Sequence, residues 1–248
     1  MGLRIFIHSV RLVFGQLGAA LRISAALYII SIAIAAVAFY YQAQALSTGN
    51  PTAPPWQFFV ATIASCVPYL WIAVAWHRFV LLDEIPPTPV PTPPVDRIWS
   101  YVGRALQLGL LAMVFGLLFG LVTILSMLVA NSAPFIAILV GLIFIAVGIL
   151  ATYRVAPVFP GAAIGKSISL GEAWKSTSGA SGTLFLLAII SAIGSFVIDL
   201  PIEALIRLPG SPFTVLAWFA ASTWVKLMIG VSIMTTIYGV YVEKRSIN

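Results

Sequence analysis

Six long apolar runs constrain this chain more than any other feature. A helix that crosses a bilayer needs about 20 apolar residues, because it rises about 1.5 Å per residue through a hydrocarbon core about 30 Å thick. A backbone in lipid must satisfy its own hydrogen bonds, and the runs lack the alternation of barrel strands. The sequence therefore predicts an all-α, polytopic transmembrane bundle with six spans. These lie near residues 24–46, 56–76, 105–130, 135–153, 182–200 and 214–240.

The composition excludes a soluble protein and does not indicate a nucleic-acid partner. Of the 248 residues, 61% are hydrophobic and 8% are charged, whereas a soluble domain carries about 25% charged residues. The formal net charge is +6, but the 13 lysines and arginines form no dense cluster and mostly flank the apolar runs. Basic residues in such positions face anionic lipid headgroups. The sequence therefore predicts membrane lipids as partners and no nucleic acid.

The connections between the runs predict three helical hairpins with both chain ends in the cytoplasm. Three connections are short, at residues 47–55, 131–134 and 207–212, and the other two, at 77–97 and 154–181, are longer and charged. If the N-terminus lies inside, almost all basic residues fall on the cytoplasmic side, which is the positive-inside pattern. The cytoplasmic set is Arg4, Arg11, Arg22, Arg78, Arg97, Arg104, Arg154, Lys166, Lys175, Lys244 and Arg245.

Two segments outside the spans predict short amphipathic helices in the cytoplasmic interface. Near the N-terminus, polar and small residues recur every three or four positions opposite an apolar face. Further along, Ser169 and Glu172 have the spacing of a capping box, so a helix begins there, and Gly179 is expected to end it. The N-terminal stripe is Arg4, His8, Arg11, Gly15, Gly18 and Arg22, and its apolar face is Leu3, Ile7, Val10 and Phe14.

The chain is predicted to form a single integral membrane domain, residues 1–248, in which one unit occurs three times. The units, at residues 1–80, 96–156 and 168–245, each hold an amphipathic stretch, a span, a turn, a second span and a basic exit. Because aromatic and basic residues favour any helix end at the interface, true repetition and a shared interface preference both stay open. The proline-rich segment 86–94 is either a stiff polyproline spacer or a docking motif.

Four ionisable residues lie in or near the last hairpin. Asp199, Glu203 and Arg207 are four residues apart and share one helix face, although Pro201 predicts a helix break between them. Lys226 lies within the last run, where it can meet Asp199 or Glu203. Charges inside hydrocarbon are costly and mark a pair, a cavity or a pathway. Two interpretations stay open: an ion or proton relay or anionic-headgroup site, and a structural ion pair.

A second group of candidate residues lies where helices leave the membrane on the cytoplasmic side. His77 and Arg78 end the second run, and Arg154 ends the fourth. Guanidinium groups match the geometry of phosphate oxygens, so these three residues are predicted lipid-phosphate contacts. The alternative is local ion pairing with Asp83 and Glu84.

The sequence holds no catalytic signature. It contains no phosphate-binding loop, no HExxH and no GxSxG. With one cysteine, Cys66, and two histidines, neither a metal site nor a cofactor is predicted. A non-catalytic structural or regulatory membrane module, which implies a membrane-protein partner, is therefore preferred. The alternatives are a small transporter or lipid-binding carrier that uses the charged residues of the last hairpin, and an intramembrane enzyme acting on a lipid.

The segment at residues 154–179 carries a resemblance to known proteins. An arginine leaves a helix, a Pro-small-small stretch follows, and a short helix with Glu-Ala-Trp precedes Thr-x-Gly; residues 76–86 (WHRFVLLDEIP) add to the likeness. The chain resembles uncharacterised bacterial inner-membrane proteins, similar to the YciC-like proteins and to the membrane domain attached to some glycerophosphodiester phosphodiesterases. The resemblance implies a six-helix module of the bacterial cytoplasmic (inner) membrane without assigned chemistry, because the phosphodiesterase activity belongs to a separate soluble barrel. The matching residues are Arg154, Pro160, Ala162, Ala163, Gly165, Leu170, Glu172, Ala173, Trp174, Thr177 and Gly179.

Overall fold

The computed structural model describes residues 1–47, 56–85, 88, 90–92, 94–130, 134–208 and 211–247. Within these residues all regular secondary structure is helical, and six stretches are long and apolar enough to cross a membrane. The predicted all-α fold with six membrane-length helices is therefore confirmed. Residues 86, 87, 89 and 93 of the proline-rich segment lie outside the described residues, as do residues 48–55, 131–133 and 209–210 of the three short turns. The helices are α1 (Gly2–Gly15), α2 (Leu17–Ser47), α3 (Trp56–Leu82), α4 (Val95–Ala130), α5 (Pro134–Val155), α6 (Val158–Ile164), α7 (Leu170–Ser176), α8 (Ser181–Asp199), α9 (Pro201–Ile206) and α10 (Ser211–Tyr241).

The bundle has two chemically different ends. One end carries nearly all the lysines and arginines and is called the basic end. It holds α1, α6, α7, the starts of α2, α4 and α8, and the ends of α3, α5 and α10. Contacts tie this end together across the sequence, as when Arg245 donates to the carbonyl of Leu81 at 3.2 Å. The opposite end, where the short turns lie, is called the turn end. The cytoplasmic location of the basic end stays a prediction from the positive-inside pattern.

The packed core lies toward the basic end and centres on α3 and α10. Buried side chains concentrate in the first half of α2, the second half of α3 and the second half of α10. By contrast, Tyr101 is the only buried side chain among those described on α4, and α5 has none. Leu117 and Ile138 are 68% and 61% exposed. Such continuous apolar exposure suits helices whose solvent is the bilayer.

The N-terminal helix α1 has three faces. One packs against α8 and α10 and buries Ile5, Ser9 and Val13. The predicted apolar face does not pack into the protein, since Leu3, Ile7 and Phe14 are exposed, and the basic stripe lies beside it. A helix of this kind suits the membrane interface, with one face toward lipid, one toward water and one against the bundle.

Helix α7 begins at the predicted capping box. The backbone N–H of Ser169 donates to the Glu172 carboxylate at 2.7 Å, and the backbone N–H of Glu172 donates to the Ser169 hydroxyl at 3.2 Å. The bonds from the Ser169 backbone and then from its hydroxyl lower the pKa of Glu172. The helix ends at Ser176, and Gly179 follows in the left-handed region at φ +78°.

Helix α6 lies between α3, α4 and α10, and all of its residues are buried except Phe159, which is half-buried. Its small residues allow this close approach: a Cβ on Gly161 would lie 2.8 Å from the carbonyl oxygen of Lys166 and 3.3 Å from the Tyr238 ring. Gly165 ends the helix at φ +79°, and the Arg97 guanidinium occupies the space where a side chain would project. The Pro-small-small pattern of this segment is therefore a packing requirement.

Candidate functional site

Lys226 pairs with Asp199 across the last two membrane-length helices, and not with Glu203. Its ammonium donates to both carboxylate oxygens, at 2.7 and 2.9 Å. Lys226 lies fifteen residues from either end of α10, which is about 22 Å along the helix axis. The lysine and aspartate side chains stay 29% and 41% exposed. The pair therefore neutralises two charges at membrane depth, where part of each side chain faces the surroundings of the bundle.

The other two charges of the predicted cluster do not join this pair. Glu203 and Arg207 are exposed on α9 and at its C-terminal cap, and no ion pair joins either of them to another described residue. The four-residue cluster thus reduces to one ion pair and two separate surface charges.

The helix break predicted at Pro201 is present. Helix α8 ends at Asp199 and α9 begins at Pro201, while Leu200 keeps helical torsion angles of φ −50° and ψ −39°. The Trp218 indole N–H donates to the carbonyl of Ile198 at 3.1 Å. A protein donor thus satisfies a carbonyl at the interrupted helix end, as a backbone in lipid requires.

His77 is fully buried, contrary to the expectation that it contacts a lipid headgroup. Its Nδ1 lies 2.8 Å from the hydroxyl of Thr235, and that hydroxyl donates its own proton to the carbonyl of Val231 at 2.8 Å. Nδ1 must therefore carry the imidazole proton and donate. Nε2 accepts from the Tyr101 hydroxyl at 3.4 Å. Because both ring nitrogens of His77 already have partners inside the protein, the imidazole has no nitrogen left to contact a phosphate.

His77 belongs to a row of hydroxyl contacts that the sequence analysis missed. Ser232, Thr235 and Thr236 lie on one face of α10 at the spacing i, i+3, i+4. The indole of Trp76 donates to Ser232 at 2.8 Å, and the hydroxyls of Ser9 and Thr236 lie 3.1 Å apart. This hydroxyl seam joins α1 and α3 to α10, and the spacing of the three hydroxyls was the signal for it.

Arg78 joins the end of α3 to the segment that follows it and to α6. Its Nε and Nη2 donate to the two carboxylate oxygens of Glu84 at 2.8 and 2.7 Å, and its Nη1 donates to the carbonyl of Ala163 at 3.2 Å. Asp83 takes a positive φ of 59°, which turns the chain so that Glu84 faces Arg78. The local ion pair thus forms with Glu84, and the same guanidinium holds the end of α6.

Arg154 is likewise engaged within the protein. Its Nη2 donates to the carbonyl of Trp174 at 2.9 Å, its Nε lies 3.4 Å from the Thr177 hydroxyl, and its guanidinium carbon lies 3.9 Å from the centre of the Trp174 ring. These contacts fasten α7 to the end of α5. The predicted contact of Arg78 and Arg154 with a lipid phosphate stays a prediction.

A cavity of about 240 Å³ opens at the basic end between α1, the ends of α3 and α10, and the residues after α10. His8 and Arg245 are the ionisable residues among those described that line it. Burial, and then the neighbouring charge of Arg11, lower the pKa of His8. Lys244 takes a positive φ of 58°, and the backbone N–H of Arg245 donates to the carbonyl of Gly239 at 2.8 Å, so the chain folds back over the cavity.

Among the described residues, no group of three or more histidine, cysteine, aspartate or glutamate side chains is placed to hold a metal ion. Comparison with known proteins adds no further assignment. No family model, no curated protein and no solved structure matches this chain.

Proposed function

We propose that this protein is a non-catalytic structural or regulatory module of the bacterial cytoplasmic membrane, with the N- and C-termini inside and a membrane protein as its partner. One observation carries the proposal. Of the seven candidate residues, five direct their described polar contacts to other residues of the protein: Asp199, Lys226, His77, Arg78 and Arg154. An acid, a base or a phosphate clamp needs a free position facing its substrate. The resemblance to YciC-like proteins supports the same proposal.

Exchanging the two charges of the last hairpin tests the structural reading. Asp199→Asn and Lys226→Leu should each destabilise the protein by about 1–2 kcal/mol, less than the 3–5 kcal/mol of a fully buried pair because both side chains are partly exposed. The double variant Asp199→Lys with Lys226→Asp should recover most of the loss. Thermal unfolding in mild detergent measures this, with the unpaired Glu203→Gln as the matched control. Failure of the exchanged pair to recover any stability would contradict a structural role.

A transporter is the second candidate, favoured by the helix break at Pro201 beside a partly exposed ion pair, since broken helices at membrane depth form many transport sites. Proton flux into proteoliposomes that contain a pH-sensitive dye distinguishes a transporter from a structural module. A structural module gives no proton flux beyond that of empty vesicles, in the wild type or in the variants. Flux in the wild type that the exchanged pair abolishes, while the protein stays folded, would establish the transporter instead.

The orientation has its own test. In a Cys66→Ser background, Lys175→Cys places a thiol at the basic end and Arg207→Cys places one at the turn end, and each replaces an exposed cation. A membrane-impermeant maleimide added to intact spheroplasts should label only Arg207→Cys. Labelling of Lys175→Cys alone would invert the proposed topology.

A further inference from the structure

The cavity at the basic end is built from four separate parts of the chain. Leu12 and His8 reach it from α1, Val80 and Leu81 from the end of α3, and Thr236 and Gly239 are among the residues that line it from α10. The residues after α10 close one side, because the turn at Lys244 brings Arg245 back over Gly239. The tail is held there, since Ile247 packs against the cluster around Ile5 and Ile237. The cavity is therefore a feature of the packed half of the bundle.

The charge around the cavity is positive. Its described ionisable lining consists of His8 and Arg245, with no carboxylate among them. Glu243, just outside, is shared between two cations: it lies 2.7 Å from Arg245 and 3.6 Å from Lys166. Arg245 uses Nε toward Glu243 and Nη2 toward Leu81, which leaves Nη1 without a described partner. An anion in the cavity would meet one guanidinium N–H donor and one imidazole.

The rest of the lining combines apolar side chains with the hydroxyl residues Thr235, Thr236 and Ser246, and the space is small. Leu12, Val80, Leu81 and Val240 face the cavity. A volume of about 240 Å³ corresponds to roughly eight water molecules at about 30 Å³ each. That is enough for a phosphate with a few attached carbons and too small for a whole lipid. The acyl chains of a lipid bound here must stay in the bilayer, beside the exposed apolar face of α1.

We propose that this cavity binds the phosphate of an anionic phospholipid headgroup, with His8 and Arg245 as its donors. Neither the Asp199–Lys226 pair nor His77 lines the cavity, although Thr235, the partner of His77, does. The site is tested independently of the proposed function, because neither His8 nor Arg245 carries that proposal. A soluble phosphate ester offers the same chemistry, and the experiment distinguishes the two sources.

The test measures binding to the full chain in mild detergent by native mass spectrometry. The probes are dihexanoyl phosphatidylglycerol, dihexanoyl phosphatidylcholine and inorganic phosphate. Phosphatidylglycerol should bind best, and His8→Gln and Arg245→Gln should each weaken it about tenfold or more, the size of one lost charge-assisted hydrogen bond. The double variant Arg4→Gln with Lys175→Gln removes two exposed cations from the same end, neither of which lines the cavity, and it should bind like the wild type.

Each outcome decides the proposal. Inorganic phosphate that binds as tightly as phosphatidylglycerol, with the same sensitivity to His8→Gln, supports the site and identifies its ligand as a soluble phosphate. Equal binding of phosphatidylcholine overturns the requirement for an anion. Equal weakening by the control double variant overturns the site in favour of general attraction to a basic surface. If Arg245→Gln fails to fold because its contact with Leu81 is lost, His8→Gln decides alone, since no described hydrogen bond or ion pair holds that side chain.

Discussion

The helices pack against one another differently in the two halves of the bundle. Toward the basic end, α1 and α6 lie between the long helices, glycines allow close backbone contact, and the hydroxyl seam connects α10 to its neighbours. By contrast, α4 and α5 meet near their middles through phenylalanines, the ring centres of Phe115 and Phe119 lying 5.5 and 5.7 Å from that of Phe144. Most other side chains of these two helices point away from protein. One half is a protein interior and the other is a set of helices in lipid.

The difference teaches where the folding energy of such a chain resides. Lipid tails are as apolar as leucine, so a leucine in the turn-end half gains little by leaving lipid for protein. Helices associate in a membrane through close packing and hydrogen bonds across their interface. Both occur here in the basic-end half. That half should therefore respond to substitution like a soluble core, and the other half should respond weakly.

The largest expected effect separates two tryptophans on the same helix. Trp76 is fully buried and donates to Ser232, whereas Trp56, at the turn end of α3, is 69% exposed. Trp76→Ala should cost about 3–5 kcal/mol, the loss typical of a buried aromatic residue. Trp56→Ala should change the stability by less than about 0.5 kcal/mol. Thermal unfolding in mild detergent measures both, and equal losses would refute the division into two halves.

The sequence predicted the spans and the capping box because their signals are local. An apolar run is read within about 20 residues, and the capping box of Ser169 and Glu172 within four. The burial of His77 was not predictable in this way. Its position at a helix end indicates the interface, but Tyr101 and Thr235, distant in sequence, cover it. The partners of Arg154, and the Ala163 carbonyl that accepts from Arg78, are likewise distant in sequence, whereas the Arg78–Glu84 pair is local and was one of the two interpretations that the sequence left open.

Glycine substitutions should give the next largest effect, with opposite signs in the two halves. A Cβ on Gly161 would press on the backbone oxygen of Lys166, whereas a Cβ on Gly116 in α4 meets nothing within 4 Å. Gly161→Ala should destabilise by about 1–3 kcal/mol through overpacking. Gly116→Ala should stabilise by up to about 1 kcal/mol through helix propensity. Unfolding midpoints in the same detergent measure the change in stability for both variants. An increase in stability for Gly161→Ala would show that α6 is not closely packed against its neighbours.

The smallest effect concerns pH and His8, on the surface of the packed half. Burial and Arg11 lower the pKa of His8 below its ordinary value of 6.5, so the unfolded chain binds the proton more readily than the folded protein does. The contribution of His8 to stability is therefore unchanged above pH 6.5 and declines as the pH falls from there through the folded pKa. His8→Gln should match the wild type at pH 8 and lose less stability between pH 8 and pH 5.5; the comparison isolates His8 from the buried His77.

The ligand proposed for the cavity should act on this same pH dependence. Arg11 on the same helix disfavours the imidazolium of His8, and Arg245 is the other cation that lines the cavity. A bound phosphate offsets them, so dihexanoyl phosphatidylglycerol should shrink the loss of stability at low pH in the wild type and leave His8→Gln unaffected. Unfolding midpoints at pH 8 and pH 5.5, with and without the lipid, give the four values needed for each of the two proteins. An equal lipid effect in both proteins would place the anion elsewhere on the basic end, where it cannot compensate the proton on His8.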